Sequence, residues 1–140
     1  MTRIVVDASV AAKWFLPETH AQAAGRVLKE NHMLLAPDLI WAEVGNVFWK
    51  KWRRGEISRE VARDLLRDFR RFPLETTPSQ TLLDAAWRIA TESGRPVYDS
   101  LYIALADIRT CRLITAERKL VNAFKNSPYA ARLRWVEDPP

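Results

Sequence analysis

Ile4–Val5–Val6–Asp7–Ala8–Ser9–Val10 sets a β-branched apolar run directly against an acid, with small residues behind it. Such a run favours a buried strand, and Asp7 ends it. Ala8 to Leu16 then carries helical spacing, stopped at Pro17. Further along, Glu18–Asn31 reads as a helix, Met33–Ala36 as a strand, and Asp38–Arg54 as an amphipathic helix closed by Gly55. Ser58 is a suitable cap for a helix reaching Arg71. Leu74–Thr76 is a short strand, Gln80–Ser93 a helix ended by Gly94, and Asp99–Arg109 another helix. Arg112–Thr115 is a strand, a short helix starts at Glu117, and Leu133–Val136 is the last strand. Short apolar strands alternating with helices imply βα units. The predicted fold is therefore a single three-layer α/β/α domain over residues 1–140, with a central, mostly parallel sheet.

The chain has 140 residues, of which 48% are apolar and 28% charged, the proportions of one globular domain rather than a disordered or fibrous chain. No uncharged run approaches the ~20 residues of a bilayer span. Asp7 interrupts the N-terminal apolar run, so the expectation is no signal peptide and no membrane association. Cys111 stands alone, which excludes an internal disulfide and points to the reducing cytoplasm. His20 and His32 lack zinc-site spacing.

The net charge of +5 is concentrated in one place. Lys50–Arg71 holds nine basic and four acidic residues, and the rest of the chain is balanced. That stretch is a candidate surface for a polyanion, against the plainer reading of a solvated helix face. Glu60–Arg63, Asp64–Arg67 and Asp68–Arg71 stand at the i,i+3 spacing of helical ion pairs. Trp14, Trp41, Trp49 and Trp52 lie among apolar residues, which favours packing or a dimer surface over base stacking.

Ligands of an open parallel sheet bind beyond the carboxyl ends of its strands. Asp7 ends the first strand there, Glu117 follows the strand that ends at Thr115, Glu43 lies one turn into the helix after the second strand, and Asp99 opens a helix. Taken singly, each is explained as a helix cap or a first-turn acid. Taken together, four converging carboxylates repel one another unless cations neutralise them. Oxygen donors without histidine or cysteine suit Mg²⁺ or Mn²⁺. Asp38 and Asp107 fit better as a cap and an exposed helix residue.

Four blocks of this sequence resemble PIN-domain proteins, and most of all the VapC toxins of toxin–antitoxin modules. They are Ile4–Val10 with Lys13–Glu18, Pro37–Asn46, Tyr98–Ala106 and Leu113–Leu120, in the family's order and across almost the whole chain. The resemblance implies a divalent-metal-dependent ribonuclease that hydrolyses RNA phosphodiester bonds. It implies that Asp7, Glu43, Asp99 and Glu117 are the catalytic, metal-binding acids, with Mg²⁺ or Mn²⁺ as cofactor. Ser9, Asn46 and Thr115 would support them, and Lys13, Lys50 and Arg118 are the candidates for phosphate contact. The last acid is usually Asp in the family, so the longer Glu117 is a departure. The resemblance further implies a cognate antitoxin protein as partner and a homodimer.

Other classes fit less well. A phosphatase of the haloacid-dehalogenase type wants a second Asp two residues after the first, where this chain has Ser9. A receiver domain wants neighbouring acids and a late lysine that are not found. A PIN fold acting only as an RNA-binding or protein-docking module is the remaining alternative, together with another Mg-dependent phosphoryl hydrolase.

Overall fold

The computed structural model describes residues 2–140. The β-branched run forms strand β1 (Thr2–Val6), with Ile4, Val5 and Val6 buried. After Asp7 come α1 (Ala8–Ala11), a 3₁₀ turn at Ala12–Trp14, and α2 (Ala21–Val27). Strand β2 (His32–Pro37) leads into α3 (Leu39–Arg53) and α4 (Arg59–Arg70). Then follow β3 (Glu75–Thr77), α5 (Ser79–Ser93), α6 (Val97–Ile108), β4 (Arg112–Thr115), α7 (Arg118–Ala123) and β5 (Leu133–Trp135).

The five strands are all parallel, in the order β3-β2-β1-β4-β5. Chain order reverses at β1, whose neighbours are β2 on one side and β4 on the other. This is the switch point at which an open parallel sheet offers its binding crevice. Val6 pairs with Ile114, so Asp7 and Thr115, the residues that follow, emerge side by side. Helix α6 is buried from Ser100 to Ala106 and packs on β1, β2 and β4, which explains its nearly continuous apolar sequence.

Several expected boundaries shift. The helix expected over Ala8–Leu16 is a single α turn followed by 3₁₀ geometry, and that expected over Glu18–Asn31 contracts to α2. The helix expected to open at Asp99 opens two residues earlier, at Val97, directly after Pro96, whose extended backbone forms the N-cap. Asp38 makes no side-chain bond to its own helix. Its Oδ1 accepts from Ser79 N–H (2.9 Å) and Ser79 Oγ (2.6 Å) and so holds the start of α5. Of the three ion pairs expected on α4, Asp64–Arg67 forms at 3.3 Å; Glu60–Arg63 and Asp68–Arg71 do not form, and Arg67 instead also reaches Asp68 at 3.9 Å. All three of these paired side chains are more than half exposed, where solvated rotamers compete with pairing.

The tryptophans divide into two groups. Trp14 stacks on Phe72 at 4.7 Å and donates Nε1–H to the Ala24 carbonyl, and Trp41 lies against Phe69 at 4.9 Å. Trp49 and Trp52 are largely exposed. Buried Arg134 of β5 grips Glu30 through two bonds of 2.8 and 2.9 Å, tying the α2–β2 connection to the last strand. Among the described residues, no helix is long and apolar enough to cross a membrane.

Candidate active site

Asp7 has two roles at once. Its Oδ1 accepts the Val10 N–H and caps α1, as the plain structural reading expects, and also accepts Ser9 Oγ–H at 2.5 Å. Its Oδ2 accepts Thr115 Oγ1–H at 2.5 Å across the β1–β4 switch point. Ser9 and Thr115 are locked in turn, since Ser9 Oγ accepts the Ala116 N–H and Thr115 Oγ1 accepts the Glu117 N–H. Burial of the Asp7 carboxyl pushes its pKa up to about 7, despite the two hydroxyl bonds that favour its charged form, and the nearby Glu117 charge adds to the rise.

Glu43, on α3, accepts a 2.6 Å bond from the Tyr102 hydroxyl of α6. Burial raises the Glu43 pKa, and the charges of Asp99 and Glu117 raise it further, against the Tyr102 bond. The Tyr102 phenol is itself held well above its ordinary value, by burial first and then by Glu43. Asp99, in the first turn of α6, accepts Arg95 Nη2–H at 2.8 Å on Oδ2. Glu117, at the head of α7, is raised by burial and by Asp99, and lowered by Arg95. The charge of Glu117 thus reaches Asp7 and Glu43, and that of Asp99 reaches Glu43 and Glu117.

A cavity of about 450 Å³ opens beside them, walled by Ser9, Lys13, Glu43, Asn46, Lys50 and Glu117 among others. Asn46 stands one turn along α3 from Glu43, on the same wall. Lys13 is engaged by Glu18 at 3.0 Å, whereas Lys50 forms no ion pair among the described residues. Arg118 stacks over the Trp135 ring at 4.5 Å and is not on the cavity wall. Cys111 is half-buried, and burial pushes its thiol pKa up, which makes it a poor nucleophile.

Two contributors escaped the sequence reading, Tyr102 and Arg95. Arg95 stands at i−4 from Asp99, a spacing that could have signalled their pair, whereas Tyr102 bonds Glu43 from 59 residues away and left no local signal. Among the described residues, no three acidic, histidine or cysteine side chains surround a common metal position. The carboxylates are held instead by hydroxyls and by one guanidinium from the chain itself. The donor set still fits a hard divalent cation, because it is built of carboxylate and hydroxyl oxygens without sulfur or imidazole.

A PIN-domain profile matches residues 4–125. Ribonuclease VapC3 of Pyrobaculum aerophilum is 33% identical over 124 residues, covering 87% of this chain and 95% of that protein. Ribonuclease VapC9 of Mycobacterium tuberculosis is 30% identical over 117 residues, covering 84% of this chain and 87% of that protein. The crystal structure of PAE2754 from Pyrobaculum aerophilum superposes with a TM-score of 0.70 at 26% identity, covering 97% of this chain and 85% of that one. A parallel sheet whose chain order reverses at β1, matched over most of its length by this profile and these relatives, makes the chain a member of the PIN-domain family, grouped with the VapC ribonucleases.

Proposed function

We propose that the protein is a divalent-metal-dependent ribonuclease acting as the toxin of a toxin–antitoxin pair in the cytoplasm. The observation that carries this reading is the electrostatic coupling of Asp7, Glu43, Asp99 and Glu117, drawn from four remote parts of the chain, beside a cavity walled by Lys13 and Lys50. These four acids would hold the cation, which supplies water activation and neutralisation of phosphate charge. Ser9 and Thr115 fix both oxygens of Asp7. Tyr102 holds Oε1 of Glu43, so Oε2 is the oxygen that would serve the cation or take up a proton from water. Lys50 draws the RNA backbone to the cavity. The test is RNA cleavage by the purified protein with Mg²⁺, with Mn²⁺, and in excess EDTA. Cleavage is expected in the first two and lost in the third; undiminished cleavage in EDTA overturns the reading.

The basic stretch is proposed to line a binding surface. Gly45, Phe48, Trp49, Trp52 and Leu66 form an apolar groove between α3 and α4, rimmed by Arg59 and Arg63, which suits an antitoxin segment with apolar anchors and acidic flanks. A homodimer belongs to the same proposal. For RNA, replacing Lys50 and Arg54 together by Ala is expected to lower the salt slope of single-strand binding by about 1.4 units, two phosphate contacts' worth. An unchanged slope across a salt series, for RNA and antitoxin alike, returns the stretch to a solvated helix face.

A further inference from the structure

Arg95 sits in the three-residue connection between α5 and α6, fixed on one side by Gly94, in left-handed geometry at φ 76°, and on the other by Pro96. Its backbone N–H is held by Ser93 Oγ at 3.2 Å. From this anchored position the side chain turns back to Asp99, and its charge also acts on Glu117. The guanidinium therefore stands against Asp99 where a cation would, 2.8 Å from its Oδ2. Its seat is imperfect, because Nε is buried without a hydrogen-bond partner among the described residues. Arg95 gives Asp99 a single hydrogen bond, and a one-bond pair is held less firmly than a two-bond fork such as Arg134–Glu30. About a quarter of each partner's side-chain surface remains open to solvent, so the pair can separate without unpacking the core.

We propose that Arg95 is an internal counter-cation that competes with the divalent metal for Asp99, so that loading the site requires release of the Arg95–Asp99 pair. The proposal rests on Asp99 being a metal ligand, as in the function proposed above. The competing geometry is a shared carboxylate, with Arg95 keeping Oδ2 while Oδ1 takes the metal. The two differ in sign. A competitor weakens metal binding and its removal strengthens it; an orienting partner does the opposite.

The experiment is calorimetric titration of the metal-free protein with Mn²⁺, for the wild type, Arg95→Gln, Arg95→Lys and Asp99→Asn. Arg95→Gln is expected to bind Mn²⁺ about tenfold more tightly, the weight of one nearby charge on a carboxylate site. Arg95→Lys, which keeps the charge, should stay near the wild type. A correspondingly larger Mn²⁺-induced rise in melting temperature for Arg95→Gln gives a second readout. Equal or weaker binding by Arg95→Gln overturns the proposal. If Asp99→Asn then still loses Mn²⁺ binding, the metal site stands and only the competition fails. If the wild type and Arg95→Gln both fail to bind Mn²⁺, the metal site and the competition fall together.

Discussion

Asp99→Asn is expected to lower RNA cleavage by more than roughly a hundredfold, beyond the usual effect of losing a supporting residue around a metal. The structure sharpens this test. Asp99 caps no helix: α6 begins at Val97 with Pro96 before it, and no backbone N–H depends on the Asp99 side chain. Asn retains an oxygen for Arg95 and nearly the same volume, so the fold is preserved. The sequence alone suggests that removing this charge stabilises the metal-free protein by relieving repulsion. Arg95 already offsets part of that repulsion, and its bond to Asp99 weakens in the variant. The two effects oppose, and the change in apo stability is expected to stay within about 1 kcal/mol. Cleavage assays, Mn²⁺ titration and melting of the apo protein together measure the outcome. Full activity with unchanged metal affinity would remove Asp99 from the catalytic set.

Glu30→Ala is expected to produce the largest loss of stability outside the core, about 3 kcal/mol, because it strands the buried Arg134 charge. Arg134 is 3% exposed, and it gives two of its donors to Glu30 and one to the Asp138 carbonyl. The hydrogen bonds from Arg134 are the main reason that the Glu30 carboxyl falls to a pKa of about 2 from an unperturbed 4.5, with His32 contributing. The sign of the pH dependence follows. Between these values the unfolded chain binds more protons at Glu30 than the folded one, so stability rises with pH. The contribution is complete above about 4.5 and is lost as the pH falls towards 2. Urea denaturation of the wild type and variant at neutral pH and near pH 3 measures both effects. A loss below about 1 kcal/mol at neutral pH would mean that the pair behaves as a surface salt bridge.

Much of this molecule can be read from the chain because its signals are local. Ile4–Val5–Val6 marks β1, the apolar run Leu101–Ala106 marks a buried helix, and Ser58 caps α4 through the Val61 N–H as expected. The acids at strand ends were legible for the same reason, since parallel βα units put such residues at one edge whatever the strand order. What stayed hidden depended on contacts between remote segments. Asp38 looks like the cap of α3, yet parallel pairing of β2 with β3 brings it to Ser79, and it holds α5. Trp49 and Trp52 share the apolar neighbourhood of Trp14 and Trp41, but the α3–α4 packing leaves them outside the core.

The sequence by itself determined the class of fold and the approximate place of each strand and helix, and it singled out the four acids proposed for the site, because hydrophobic period, β-branching and capping chemistry act within a few residues. Only the tertiary structure decided which groups hold those acids. Thr115 is 108 residues from Asp7 and Tyr102 is 59 from Glu43, and no local rule selects such partners. Their choice follows from strand order and helix packing, which place hydroxyls against two carboxylates and a guanidinium against a third. A buried charge is tolerated only where the completed fold delivers a donor to it.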